Sequence, residues 1–279
     1  LTWENDRAEA RGYGCLLQSG EILILSGCKK SEQEGHYTMN GFISNDKLKT
    51  ANPIQGDLFL PQFVPGFAHG HYEAPLVHRT VLELPDNTLI ATLYGRFKGD
   101  NDPQIWEGDQ RAMRMRSFLV ASEDKGKTWT YRSTIADPAD VVTMEGFDET
   151  SMVLLPNGEL LCVVRSGDNA HAGWNQNNLY LVRSPDGGKT WGKPVMLREE
   201  GASPHLYVML DGTLVCSFER PGSSLMFSDD NGHTWGSHIN LHAGRYRGYG
   251  TICELSSNTL LFTHQGQHSV IKITRNSLR

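Results

Sequence analysis

Five polar side chains occupy equivalent places in five repeated segments of this 279-residue chain, each nine residues before the last residue of a turn. They are Arg11, His78, Glu149, Ser203 and Tyr249. A second set, seven residues after the same turn residue, is also mostly polar: Gly27, Tyr94, Arg165, Glu219 and Gln265. Polar groups are costly to gather in a half-buried space unless they bind one another or a ligand. The two sets therefore predict a binding or catalytic site where the segments converge.

The turns that define this register are typical of β-hairpins. Each ends in a residue that suits a left-handed backbone: Gly20, Asn87, Gly158, Gly212 and Asn258. Two residues later an apolar pair begins, such as Ile22-Leu23 or Leu160-Leu161. The pattern predicts that each turn leads into a buried strand.

A second motif, Ser-x-Asp-x-Gly-x-Thr-Trp, recurs at residues 122–129, 184–191 and 228–235. This is the Asp-box. Its Ser and Asp side chains can accept backbone hydrogen bonds across a tight turn, its Gly supplies a positive φ, and its Trp fills the gap to a neighbouring sheet. A degenerate copy at residues 44–50 has Leu48 in place of the Gly, which predicts a looser turn there.

Hairpins and Asp-boxes together predict an all-β fold. The five hairpin turns follow one another at intervals of 46 to 71 residues, and no long stretch keeps a helical apolar period. Recurring units that cannot bury their own faces indicate a closed array of four-stranded blades, a β-propeller. We count five repeats, and a degenerate sixth blade could lie in the long intervals before Glu149. Residues 1–279 are predicted to form one propeller domain.

Composition excludes several classes of function. The net charge is −6, which gives no electrostatic footprint for nucleic acid. No apolar run approaches the roughly 18 residues that a membrane-spanning helix needs. The five cysteines lie mostly in apolar strands and are predicted to be buried free thiols. No cofactor or metal is predicted. The chain shows no signal peptide and begins at Leu1 rather than Met, so it predicts no particular compartment or oligomeric state.

From Arg11 to about Gln265 the chain resembles the sialidase (neuraminidase) superfamily, whose propellers carry Asp-boxes. Residues 11–16 resemble its first-blade segment with a leading Arg, without the usual Ile-Pro. Residues 149–165 resemble the segment that carries the catalytic Glu and the second Arg. Residues 249–252 resemble the nucleophile segment. Arg220 is assigned as the third Arg.

The resemblance implies an exo-acting α-sialidase that releases terminal sialic acid, or a related nonulosonic acid, from a glycan with retention. Tyr249 would be the nucleophile and Glu149 its base, because a phenol with a pKa of about 10 is a poor nucleophile alone. Arg11, Arg165 and Arg220 would bind the substrate carboxylate through charge-assisted hydrogen bonds. A neutral Tyr avoids the repulsion that a carboxylate nucleophile would meet, and sialidases are an exception to the two-carboxylate scheme.

The acid/base residue has several candidates. Arg79 and Asp100 resemble the family's leading Arg followed by its acid, but Arg79 lies one place outside the register, where His78 stands. We therefore assign Arg11 to the carboxylate clamp, Asp100 to the acid and His78 to substrate binding. The alternatives for the acid are His78, Glu32 and Glu34.

Two other functions are compatible with a polar propeller. One is a hydrolase or lyase that acts on another acidic sugar, such as a uronate, because arginines that bind a carboxylate do not distinguish between carboxylated sugars. The other is a carbohydrate-binding propeller without catalysis. Such a protein would be expected to keep the Asp-boxes but not the Tyr-Glu-Arg ring, so the ring favours an enzyme.

Overall fold

The computed structural model describes residues 12–65, 72–100, 114–141, 145–167, 177–243, 248–264 and 267–272. Nineteen β-strands account for the regular structure of these residues, with one 3-10 helix at Pro138–Asp140. No helix in the described ranges is long and apolar enough to cross a membrane. The first blade consists of β1 (Tyr13–Leu16), β2 (Ile22–Lys30), β3 (His36–Ser44) and β4 (Asn52–Phe59).

The remaining strands repeat the same antiparallel order. The second blade is β5 (Leu76–Glu83), β6 (Leu89–Gly95), β7 (Arg116–Ser122) and β8 (Thr128–Ala136). The third is β9 (Phe147–Leu154), β10 (Leu160–Gly167), β11 (Asn177–Ser184) and β12 (Val195–Glu199). The fourth is β13 (Ala202–Val208), β14 (Leu214–Glu219), β15 (Ser223–Ser228) and β16 (Ile239–His242). The fifth comprises β17 (Thr251–Ser256), β18 (Thr259–His264) and β19 (Gln267–Lys272).

The blades are arranged around a common axis by their first strands. β1 contacts β5, β5 contacts β9, β9 contacts β13, and β13 contacts β17. Within each blade the strands pair in chain order. This confirms the predicted all-β propeller and its five repeats; four of the blades have four strands, and three strands of the fifth lie in the described ranges, where no further sheet occurs.

The first two blades form one continuous eight-stranded sheet. The outer strand β4 pairs in parallel with β8, with Asp57 opposite Thr128 and Phe59 opposite Thr130. The junction requires a glycine on β4. A Cβ on Gly56 would lie 2.1 Å from the carbonyl oxygen of Gly126 and 3.1 Å from the indole of Trp129.

The Asp-box tryptophans pack between blades, as the motif predicts. Trp129 is 1% exposed and belongs to the core between the first and second blades. Trp191 packs against the core between the second and third, and Trp235 against the core between the third and fourth. Replacing a buried Trp by Ala typically costs about 3–5 kcal/mol, so Trp129 is a main source of adhesion between the first two blades, whereas Trp191 and Trp235 are only partly buried.

The turn of each Asp-box is closed by its own side chains. In residues 184–191, Gly188 N donates to Ser184 Oγ at 2.8 Å and Thr190 N donates to Asp186 Oδ1 at 2.9 Å. The same bonds occur in the boxes at 122–129 and 228–235.

The degenerate copy at residues 44–50 keeps this geometry, so the expectation of a looser turn is wrong. Leu48 N donates to Ser44 Oγ and Thr50 N donates to Asp46 Oδ1, each at 2.9 Å. Leu48 adopts φ +65° and so takes the left-handed conformation that the other boxes give to glycine. The Ser and Asp acceptors are therefore sufficient to hold the turn.

All five cysteines are free, as predicted. Cys162 and Cys216 are buried, whereas Cys15, Cys28 and Cys253 are partly exposed. The prediction of burial therefore holds for two of the five. The other three lie in strands of the first and fifth blades, β1, β2 and β17.

The Asp-box turns should become less stable at acidic pH. Hydrogen bonds from the side chain and the amide of Thr190 lower the pKa of Asp186 to about 2, from an ordinary value near 4. A carboxylate whose pKa falls on folding stabilises the protein above its unfolded pKa, and that contribution is lost as pH falls through the folded pKa. We expect Asp186→Ala to lower the free energy of unfolding by about 1 kcal/mol at pH 7, since the group is largely solvated.

The measurement is urea unfolding of parent and variant at pH 7 and pH 3, where the difference should be smaller at pH 3. Glu123→Ala removes an exposed carboxylate from the equivalent turn of the second blade and should change stability by less than about 0.5 kcal/mol. Equal effects of the two substitutions would contradict a specific role for the Asp.

Candidate functional site

The inner strands are irregular at the mouth where the polar residues lie. Strand pairing shifts between Val77 and Val81 in β5 and between Ala202 and His205 in β13. In the third blade the pairing of β9 with β10 shifts at Glu149, and this residue adopts φ +44°. Ser203, in the same place of the fourth blade, adopts φ +52°. Such bulges re-aim side chains and are common beside active sites.

Tyr249 and Glu149 form the centre of the site. Tyr249 Oη donates to Glu149 Oε1 at 2.6 Å. The second oxygen, Oε2, accepts from the amide of Ser203 at 2.8 Å. These three residues come from the fifth, third and fourth blades, so the pair exists only when the blades are assembled. The sequence predicted that Tyr249 and Glu149 would meet, and the structure brings them together.

Arg165 lies behind Glu149 and is surrounded by acceptors. Its Nε is 3.1 Å from Glu149 Oε2 and donates to Asp148 Oδ1 at 2.7 Å. Its Nη1 donates to Asn177 Oδ1 at 2.7 Å, and its Nη2 lies 3.2 Å from Glu145 Oε2. This guanidinium therefore orients the carboxylate of Glu149. It was predicted to bind substrate, and its contacts in the structure are with protein groups.

The charges around Glu149 favour its ionised form. Burial alone would raise its pKa. The charge of Arg165, followed by those of His78 and Arg220, outweighs burial and lowers this pKa to about 2. Burial raises the pKa of the adjacent Asp148. Arg165 opposes that shift, whereas the neighbouring carboxylates reinforce it. Glu149 is thus a carboxylate at neutral pH, able to accept the phenolic proton.

His78 and Arg79 flank Tyr249 from the second blade. The imidazole of His78 lies 5.3 Å, centre to centre, from the ring of Tyr249. The guanidinium of Arg79 lies 5.9 Å from the centre of the same ring and donates to the carbonyl oxygen of Gly250 at 2.5 Å. It also donates to the carbonyl oxygen of Ser203 at 3.3 Å. Both residues of the bulge in β5 therefore reach the site.

Arg220 approaches Glu149 from the fourth blade. It follows β14, adopts φ +62° and is close enough for its charge to lower the pKa of Glu149. Its Nε is buried and has no hydrogen-bond partner within the described ranges. A guanidinium in this state can bind an anionic group of a ligand.

Asp100 lies in a separate ion pair. Its carboxylate accepts from Arg116 Nε at 2.9 Å and from the amide of Phe97 at 2.8 Å. The guanidinium of Arg116 also has a second carboxylate beside it, because Asp137 Oδ2 lies 3.3 Å from its Nη2. The structure does not bring Asp100 into contact with Tyr249 or Glu149, because Arg116 on the neighbouring strand holds it.

The other predicted residues have different locations. Arg11 and Gln265 lie outside the described residues. Glu32 and Glu34 are both exposed, and Glu34 Oε1 lies 3.7 Å from Lys98 Nζ. No cluster of three or more His, Cys, Asp or Glu suited to a metal ion occurs in the part of the chain that the structure describes.

A cleft of about 870 Å³ adjoins the site on the side of the first two blades. Tyr13, His78 and Tyr94 line it, and Tyr13 and Tyr94 each contact the imidazole of His78. Its outer wall includes Tyr72 and Glu32. The volume is within the range of about 300–1,000 Å³ that small-molecule sites occupy.

Sequence reasoning set aside Arg79 and missed the acids around Arg165. Arg79 was excluded by its one-residue offset, and the bulge in β5 removes that objection. Asp148 directly precedes Glu149, and that acidic pair was the available signal. Nothing in the spacing pointed to Glu145.

Comparison with known families agrees with this architecture. Residues 97–243, just over half of the chain, match the model of the BNR repeat-like domain. The chain belongs to the BNR repeat-like family. This membership is consistent with the sialidase superfamily that the motifs of the sequence indicated.

Relatives of this BNR repeat-like protein include glycosidases. A sialidase from Bacteroides fragilis is 33% identical over 185 residues, which cover 54% of this chain and 34% of that protein. This chain therefore spans about a third of its curated relative.

Two solved structures are similar in fold. A Hadza microbial sialidase has a TM-score of 0.65 at 15% identity, with 94% of this chain and 52% of that one covered. An α-L-arabinofuranosidase from Fusarium graminearum has a TM-score of 0.54 at 17% identity, with 93% and 72% covered. At these identities the two structures show a shared fold.

The cluster around Arg165 makes a testable contribution to stability. Arg165→Met would leave Glu145, Asp148 and Glu149 buried without their cation. Breaking a buried ion pair by removing one partner typically costs about 3–5 kcal/mol, and we expect a loss of that size at pH 7. Orphaned buried carboxylates have raised pKa values and take up protons as pH falls, so the loss should be smaller at pH 5.

Urea unfolding at the two pH values measures both effects. Arg198→Met is the matched control, because this partly exposed guanidinium stacks on Phe218 and contacts no carboxylate in the described ranges. A loss below about 1 kcal/mol for Arg165→Met, or one independent of pH, would show that the acids do not depend on this cation.

Proposed function

We propose that this protein is an exo-acting, retaining glycoside hydrolase that removes terminal sialic acid, or a related nonulosonic acid, from a glycan. The observation that carries the proposal is the 2.6 Å hydrogen bond from Tyr249 Oη to the buried carboxylate of Glu149. A phenol has an ordinary pKa of about 10 and needs a base to act as a nucleophile near neutral pH. Glu149 is ionised and in contact with the proton it would remove.

The reaction has two steps. Tyr249 Oη attacks the anomeric carbon while its proton passes to Glu149, and the bond to the leaving oxygen breaks. This gives a covalent glycosyl-tyrosine intermediate. A water molecule then attacks the same carbon and gives a proton to the acid/base residue that protonated the leaving oxygen, while Tyr249 leaves and regains its proton from Glu149. Two inversions give net retention, the outcome of covalent glycosidase mechanisms.

The leaving oxygen requires a proton donor. Asp100, the candidate favoured by the sequence, is held by Arg116. His78 contacts the ring of Tyr249, and an imidazole titrates near working pH. We therefore assign the acid/base role to His78, which was the alternative candidate.

Two features favour a substrate that carries a carboxylate. The nucleophile is a neutral phenol, which is not repelled by an anionic sugar as a carboxylate nucleophile would be. Arg220, with a buried nitrogen that no described group binds, offers an anion site next to the pair. Because the donors of Arg165 are taken by protein acceptors, as are those of Arg79, we assign the substrate carboxylate to Arg220.

Removing the phenolic oxygen tests the nucleophile. We expect Tyr249→Phe to lower kcat on a chromogenic α-sialoside by roughly 10³-fold or more, because no covalent intermediate can form. Tyr131→Phe is the matched control, since Tyr131 is 40% exposed and hydrogen-bonds Thr134 on its own strand.

The same assay on a chromogenic uronide tests the substrate class. If the protein cleaves the uronide and not the sialoside, its substrate is another acidic sugar rather than sialic acid. If it cleaves neither compound, a carbohydrate-binding propeller without catalysis is favoured. Unchanged turnover in Tyr249→Phe would remove this residue from the mechanism.

Neutralising Glu149 tests the base. General-base catalysis typically contributes about 10²–10⁴-fold, so Glu149→Gln should lower kcat within that range while the side chain keeps its shape. Glu159→Gln, at the turn between β9 and β10 of the same blade, should leave kcat unchanged. An unaltered rate in Glu149→Gln would mean that the phenol needs no such base.

A further inference from the structure

A buried carboxylate, Glu219, binds the backbone amide of the residue before Tyr249. Glu219, at the end of β14, accepts from the amide of Gly248 through Oε2 at 2.7 Å. Its Oε1 lies 2.5 Å from His264 Nδ1, at the end of β18. The side chains of Glu219 and His264 are each 1% exposed. Glu219 thus joins the fourth blade to the fifth at the residue before Tyr249.

The residue after Tyr249 is fixed as well. The carbonyl oxygen of Gly250 accepts from Arg79 Nη2 at 2.5 Å. A Cβ on Gly250 would lie 2.6 Å from the ring of Phe262 and 3.2 Å from Glu219 Oε1. Since β17 begins only at Thr251, residues 248–250 have no ladder of strand hydrogen bonds to position them. Side chains from other strands do this instead.

The placement of Glu219 indicates a positioning role. Burying a carboxylate is costly unless its oxygens are hydrogen-bonded, and here one binds a backbone amide and the other a histidine. Both partners are protein groups, and neither is Tyr249 or Glu149. Proton transfer between Tyr249 and Glu149 depends on their 2.6 Å contact, and a misplacement of about 1 Å can cost about 10²-fold in rate.

We propose that Glu219 positions the nucleophile, by holding the Gly248 amide while His264 holds Glu219. The inference rests on the proposed role of Tyr249 and assigns Glu219 no contact with substrate. It also explains why an acid occupies, in the fourth blade, the place that Arg165 occupies in the third.

Three substitutions of Glu219 separate positioning from charge. Glu219→Ala removes the acceptor, and we expect kcat to fall roughly 10–100-fold with KM changed less than about threefold. Glu219→Asp keeps the charge but is one methylene shorter, and should also lower kcat. Glu219→Gln should recover most of the activity, because an amide oxygen can still accept from Gly248 while the NH₂ donates to His264.

The control is Glu254→Ala. Like Glu219, Glu254 accepts hydrogen bonds from the backbone, in its case from the amides of Leu210 at 2.7 Å and Asn258 at 3.1 Å. It lies near the far end of β17. We expect its removal to leave kcat within about twofold. A fall as large as that of Glu219→Ala would mean that any lost backbone acceptor has this effect.

A second readout does not depend on the sugar. With 3-fluorotyrosine incorporated at position 249, the ¹⁹F resonance should shift or broaden in Glu219→Ala and Glu219→Asp, and stay near the parent position in Glu219→Gln. If the parent cleaves no acidic sugar, the hydrolase proposal fails while this spectrum still tests positioning. An unchanged resonance in both damaging variants, or equal loss of kcat in Glu219→Gln and Glu219→Ala, would overturn the inference.

Discussion

The site depends on one buried charge, the carboxylate of Glu149. Taking a carboxylate out of water costs several kcal/mol, and here the cost is offset by Arg165, the Ser203 amide and the hydroxyl of Tyr249. Those partners come from three blades. The interaction that holds the phenol against the carboxylate therefore also requires the blades to be correctly assembled, so the geometry of the site and the assembly of the blades share a single electrostatic constraint.

The propeller delivers these groups through a repeated local distortion. Bulges occur at the same place in β5, β9 and β13, and two of the residues there, Glu149 and Ser203, have positive φ. Such conformations cost about 1–3 kcal/mol each and persist where the surroundings over-determine them. In this molecule the regular parts of the blades, held by the Asp-box turns and by the tryptophans that pack between blades, supply that support.

Much of the fold and of the candidate site could be predicted from the sequence, because both depend on local chemistry. The boxes, the turns and the meeting of Tyr249 with Glu149 are set by register, which a repeat displays directly. Arg79 was set aside because the motif does not reveal the bulge in β5, where residues 78–80 lie opposite the single residue Thr92. The partner of Asp100 is Arg116 on another strand, and hairpin spacing carries no information about such pairs. Leu48 shows that a turn can keep its geometry without its glycine.

The parallel pairing of β4 with β8 has a consequence for how the molecule can move. Because the first two blades share one uninterrupted network of backbone hydrogen bonds, they should open to solvent exchange together, as one cooperative block. The later blades meet mainly through side chains. Breathing of the propeller would then be concentrated at the seams that bring Glu149, Ser203 and Tyr249 together, so the contact between Tyr249 and Glu149 would open before the first two blades separate.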